Sequence, residues 1–174
     1  RKVGLLYGGK SVEQTISIRS ATNLYHQMVR AGYQVHAIGI VGDGQWYLQE
    51  TSGLQGSDQL PLYAKADNRL QLLPGMGICT QHNSEKLDLD LCFPITHGNY
   101  GEDGRLQGLL EIIELPYVGC GPLCSSIGMH KELAKQVAKS CGIPVVPSTS
   151  LSNGDYDYLN GTSSIASPRL LRNL

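Results

Sequence analysis

Eight consecutive residues, His97-Gly98-Asn99-Tyr100-Gly101-Glu102-Asp103-Gly104, bring together an imidazole, two carboxylates and three glycines. An imidazole can orient or polarise a carbonyl or carboxylate near neutral pH. A carboxylate such as Glu102 can hold that imidazole, or an ammonium group, through a charge-assisted hydrogen bond. Glycines allow backbone to approach a ligand closely. A purely structural reading stands beside this one. His97 can end a strand, and Glu102 and Asp103 can charge a helix N-terminus.

Residues 4–11, Gly4-Leu5-Leu6-Tyr7-Gly8-Gly9-Lys10-Ser11, satisfy the phosphate-loop pattern G-x-x-x-x-G-K-S letter for letter. A phosphate loop wraps its anion with free backbone amides. Here residues 4–7 lie in an apolar run that reads as a strand, which leaves only Gly8 and Gly9 as loop. The milder reading is a glycine-rich turn that opens a helix, whose positive end suits an anion or carboxylate. Glu13 is expected in the first turn of that helix, where it either complements the dipole or pairs with a cation. Lys131 is expected near another helix start, where the dipole opposes it. That hints at an anionic partner such as phosphate, with an ordinary solvated lysine as the alternative.

The elements that must carry these residues follow from apolar periodicity. Residues 3–7 form a short apolar run and read as a central strand. Ser11 and Gln14 have capping-box spacing, and Ala21, Leu24, Tyr25, Met28 and Val29 recur on one helical face up to Gly32. Residues 34–41 return as a strand, which gives the β-loop-α-β start of a doubly wound sheet. A turn at residues 42–44 lets residues 45–48 pair back as a hairpin. Residues 50–70 read as an irregular surface insert and 69–73 as a short strand. Residues 87–96 read as the strand that feeds the His97 loop, and 106–115 as the helix that leaves it. A short strand at 116–118 and a helix opened by Pro122 follow. Residues 129–141 read as one helix ending at Gly142, and 145–151 as extended. In such a sheet the Gly8–Gly9 loop and the His97 loop both leave carboxyl ends of strands, so they can face one crevice.

The 174 residues suit one domain plus a remainder. The net charge of −1 gives no electrostatic case for nucleic acid or an anionic membrane. No run of about 18 apolar residues would span a bilayer. The five cysteines, Cys79, Cys92, Cys120, Cys124 and Cys141, match no zinc spacing and read as reduced thiols of a cytoplasmic protein.

Taken in order, three stretches resemble the D-alanine–D-alanine ligase family of the ATP-grasp superfamily. Gly8-Gly9-Lys10-Ser11-Val12-Glu13 with Ser17 and Ser20 follows its GGxSxExxxSxxS loop. Residues 97–111 keep every fixed position of HGxxGEDGxxQGxLE. Leu115-Pro116-Tyr117-Val118-Gly119, Met129-His130-Lys131 and Lys135 follow a third signature, with residues 142–147 behind it. One departure is His130, where the family usually has Asp before the lysine.

The resemblance implies an α/β fold: a Rossmann-like, pre-ATP-grasp domain with an open, mostly parallel sheet and helices on both faces. It implies an N-terminal substrate domain over residues 1–147. Residues 148–174 would be a linker and the start of a central ATP-grasp domain, so the chain is expected to be an N-terminal fragment that is inactive alone. The implied reaction phosphorylates the carboxylate of one D-alanine with ATP. The amine of a second then attacks the acyl phosphate, giving D-alanyl-D-alanine for peptidoglycan. ATP and Mg2+ are the implied cofactors, with the metal ligands expected outside this chain. Glu13 is implied as the partner of the first ammonium and His97 as a group beside the reacting atoms. Glu102 would steady His97, Gly8, Gly9 and Gly98 would admit substrate, and Lys131 would reach the ATP phosphates. Partners would be D-alanine, ATP and a second subunit, because the family is commonly dimeric. D-Lactate or D-serine as second substrate stays open. The competing readings are a phosphate-loop nucleotide hydrolase using residues 4–11 and a non-catalytic binding module.

Overall fold

The computed structural model describes residues 1–55, 58–149 and 151. The chain divides into two compact units, Arg1–Met129 and a second that begins at His130.

In the first unit, β1 (Lys2–Gly8) is the strand around which the rest is built. It pairs in parallel with β2 (Gln34–Ile40) on one side and with β6 (Leu91–Pro94) on the other. β3 (Trp46–Leu48) adds antiparallel to β2, as the turn at 42–44 suggests, and the sheet order is β3-β2-β1-β6. Tyr117 extends the β6 edge by a single parallel bridge to Cys92, so the short strand expected at 116–118 is one bridge long. A strand with apolar residues on both faces must be covered on both. Leu5 and Tyr7 face α1 (Gln14–Arg30), packing with Ala21 and Leu60. Leu6 faces the other way, into a cluster with Leu106 and Leu110 of α2 (Arg105–Ile112). The mostly parallel sheet with helices on both faces is thus present.

Several local expectations change. Ser11 does not cap α1: the helix begins at Gln14, Glu13 is its N-cap residue, and the Ser11 hydroxyl oxygen instead accepts from the Glu13 amide at 3.1 Å. The insert at 50–70 is more than surface. Leu60 is 1% exposed, its amide donates to Thr22 Oγ1, and the Tyr7 hydroxyl donates to the Pro61 carbonyl. A polar composition hid the few leucines that close the α1 face. The strand at 69–73 is β4 (Leu70–Leu73), and it forms a separate hairpin with an unforeseen β5 (Gly77–Thr80). β6 is shorter than residues 87–96, because the Leu87 amide donates to Ile78 of β5 and not to β1. Residues 129–141 are not one helix. α3 (Pro122–Met129) ends, His130 is extended with ψ 90°, and α4 (Lys131–Ser140) begins in the second unit. The His130 Nδ1 accepts from the Leu133 amide at 3.3 Å, so this residue is a cap rather than a helix interior. The described residues from 144 to 149 hold no strand, and the rest of 148–174 lies, but for residue 151, outside the described residues.

One buried side chain ties the sheet ends together. The Ser17 hydroxyl accepts from the Gly8 amide at 2.9 Å and donates to the Ile95 carbonyl at 2.7 Å. Ser17→Ala strips both backbone groups of that partner. It should cost about 2 kcal/mol, read as a lower urea midpoint with an unchanged slope. A midpoint equal to that of the parent would show that the link is dispensable.

Candidate active site

The chain passes from β1 through α1 to β2 on one side, and later returns to the other side of β1 as β6. The gap between the carboxyl ends of β1 and β6 is therefore a topological switch point, where open α/β sheets bind ligands. The loops leaving those two ends carry Gly8, Gly9 and Glu13 on one side and His97, Gly98 and Glu102 on the other.

Gly8 turns the chain sharply, with φ 87°, and a Cβ there would run into the Ile40 carbonyl. The Gly9 amide then donates to that carbonyl at 2.7 Å, and Gln14 Nε2 reaches back to the Gly9 carbonyl at 2.8 Å. These bonds fix the path to Glu13. Glu13 meets the opposite loop at Gly98, where a Cβ would lie 2.6 Å from both Glu13 Oε2 and Ser11 Oγ. Gly98 also has φ 71°, so the position suits glycine for two reasons.

Glu102 holds the second loop from within. Its Oε2 accepts from the Gly98 amide at 2.7 Å, while Oε1 lies 3.8 Å from His97 Nδ1. The longer distance is an ion-pair approach and not a hydrogen bond. The far nitrogen, His97 Nε2, is buried with no hydrogen-bond partner among the described residues, and so are Thr96 Oγ1 and Gln107 Oε1. Buried polar atoms are ordinarily satisfied. Three of the four such atoms among the described residues lie around this loop.

His97 lies between two concavities, lining both together with Thr96 and Gly101. One, of about 190 Å³, has an apolar floor of Ile40, Trp46, Leu106 and Leu109. Tyr100 borders it, with Lys10 Nζ 5.3 Å and the Arg105 guanidinium 4.6 Å from its ring centre. The other, of about 510 Å³, runs from His97 and Glu102 towards residues 118–120 and α3.

Gly8, Gly9 and His97 line the smaller concavity, His97 and Glu102 line the larger one, and Glu13 meets Gly98 where the two loops approach each other. Lys131 is the first residue of α4, exposed at that helix's N-terminus in the second unit. The phosphate-loop reading of residues 4–11 fails. Residues 4–6 are paired on both edges, Tyr7 and Gly8 pair with β2, and the Gly8 amide donates to Ser17 Oγ, so this stretch is held as strand and does not wrap an anion. The Lys10 side chain runs over Gly44 towards Tyr100. Sequence reasoning missed Ser17 as the tie between loops. It was detectable as a polar residue on the same helical face as Ala21 and Leu24. The clasp of Tyr100 by two cations had no local signal, because Lys10 comes from the distant loop after β1.

Residues 2–120 match the family described as D-ala D-ala ligase N-terminus. The D-alanine–D-alanine ligase A of Mesorhizobium japonicum is 36% identical over 159 residues, which cover 88% of this chain and 44% of that protein. The solved D-alanine–D-alanine ligase of Coxiella burnetii is 31% identical with a TM-score of 0.70, over 92% of this chain and 49% of its own. The solved VanG D-Ala:D-Ser ligase of Enterococcus faecalis is 25% identical with a TM-score of 0.70, over 92% of this chain and 48% of its own. The chain thus spans less than half the length of these relatives. With its strand order, its two facing loops and a family match over more than half of its residues, the chain belongs to the D-alanine–D-alanine ligase family.

Proposed function

We propose that the protein carrying this chain joins two D-alanines into D-alanyl-D-alanine for peptidoglycan, with conversion of ATP to ADP and phosphate. The first D-alanine binds between the 8–13 and 97–102 loops. The observation that carries this reading is the approach of the Glu13 carboxylate to Gly98, beside His97 and Glu102. Glu13 offers a negative group to the substrate ammonium, which is worth more than a neutral hydrogen bond. His97 Nε2, on the same loop as Gly98, is a buried polar atom without a partner among the described residues, which a substrate carboxylate or the acyl phosphate derived from it would satisfy. Glu102 holds the loop through the Gly98 amide and stands beside the other imidazole nitrogen. The five thiols are free of disulfides, which supports a reducing, cytoplasmic setting.

ATP supplies the phosphoryl group that activates the first carboxylate for attack by the second amine. Lys131 suits its phosphates by charge and by its place at a helix N-terminus. Among the described residues no cluster of three or more His, Cys, Asp or Glu side chains could hold a metal ion. They do not fit a magnesium site, and the part given to the residues above is to bind the amino acid, orient its carboxylate and narrow the crevice.

Glu13→Gln in the full-length protein should lower kcat/KM for D-alanine by about 10–100-fold, the value of one charge-assisted contact. Phosphate release with D-alanine and ATP measures it, and wild-type kinetics would remove Glu13 from the site. Gly98→Ala tests the geometry separately. The added methyl must push Glu13 and Ser11 away, so KM for D-alanine should rise at least several-fold while KM for ATP stays near that of the parent. Equal changes in both constants would mean that the loop does not act through the amino acid.

A further inference from the structure

The groove on the far side of His97 is walled by two thiols, Cys120 and Cys124, which the ligation reading does not use. Both are exposed and free. Cys124 is the third residue of α3, and Cys120 precedes that helix by two residues. The Ser125 hydroxyl donates to the Cys120 carbonyl at 3.3 Å and holds the loop against the helix. Both side chains face the same groove, and the neighbouring Cys120 thiol holds the Cys124 thiol above its usual range. The other unit-one thiols contrast with these. Cys79 and Cys92 are buried, and burial pushes Cys92 up to about 12.

We propose that Cys120 and Cys124 form a dithiol modification site, which reduces a low-molecular-weight disulfide and closes to an internal disulfide on the wall of the His97 groove. The Cys120 thiolate attacks one sulfur of the small disulfide. That S–S bond breaks, and one small thiolate leaves and takes up a proton. Capping Cys120 removes the neighbour that opposed ionisation of Cys124. The Cys124 thiolate then attacks Cys120 and expels the second small thiolate. Two protein thiols are oxidised and one disulfide becomes two thiols, so the exchange balances. Cys120 lies outside the helix, so the loop backbone can make the small adjustment that disulfide geometry requires.

The test treats the native full-length protein with oxidised glutathione and maps its cysteines by mass spectrometry. The expected product is a Cys120–Cys124 disulfide without retained glutathione, reversed by dithiothreitol, while Cys79 and Cys92 react at least 10-fold more slowly. Cys124→Ser should stop at a glutathione adduct on Cys120. A wild-type protein that keeps both thiols, or that also stops at the adduct, overturns the proposal. The effect on catalysis rests on the ligase reading: the oxidised protein should show a KM for D-alanine raised at least several-fold, and an unchanged KM would sever the pair from the groove. Thiol mapping needs no activity, so a failed ligase reading and a failed thiol reading give different results.

Discussion

Gly8 ends one strand and Ile95 continues just past another, and both would leave a backbone group without its ladder partner inside the protein. The Ser17 hydroxyl serves both, accepting from one and donating to the other. An unpaired buried amide or carbonyl costs about as much as a lost hydrogen bond. Ser17 is therefore more than a cap on two loose ends. It sets the distance at which the 8–13 and 95–104 loops leave the sheet, and it does so from α1, the helix that Glu13 precedes. The position of Glu13 relative to Gly98 follows from that one bond pair together with the Gly9 and Gln14 contacts. None of the reactive groups makes this link itself. Ser17 takes the link between the sheet ends, Glu102 braces the 97–102 loop from within, and neither task falls to Glu13.

The same division explains what the sequence reveals. β1, α1, β2 and α2 are legible because burial on one or two faces imposes a period, and a period survives without knowledge of partners. The closure of the α1 face by Leu60, and the diversion of Leu87 to β5, depend on residues distant in the chain and leave no periodic trace. In the site, the glycines and charged residues of the His97 loop are legible as chemistry. Their pairing across the crevice was inferred only from the rule that such loops leave strand carboxyl ends. The contact of Glu13 with Gly98 and the clasp of Lys10 and Arg105 on Tyr100 come from tertiary packing. The phosphate-loop letters show the converse: a pattern can match while the strand that contains it forbids the chemistry.

His130 shows how a departure from a family pattern can keep the physics. The family's usual Asp at this place would set a carboxylate beside Lys131, and His130 removes that acidic neighbour. The backbone at His130 is extended, and α4 starts at the next residue, which makes this an N-cap position. Asp is among the preferred residues there because its side-chain oxygen accepts from a first-turn amide. The His130 Nδ1 accepts from the Leu133 amide in the same way. An imidazole can accept only through an unprotonated nitrogen, so the cap requires the tautomer with the proton on Nε2. The substitution preserves the start of α4, and with it the place of Lys131 in the first turn, while giving up a carboxylate's charge. What His130 changes is then the local field at the helix end and not the geometry that presents the lysine.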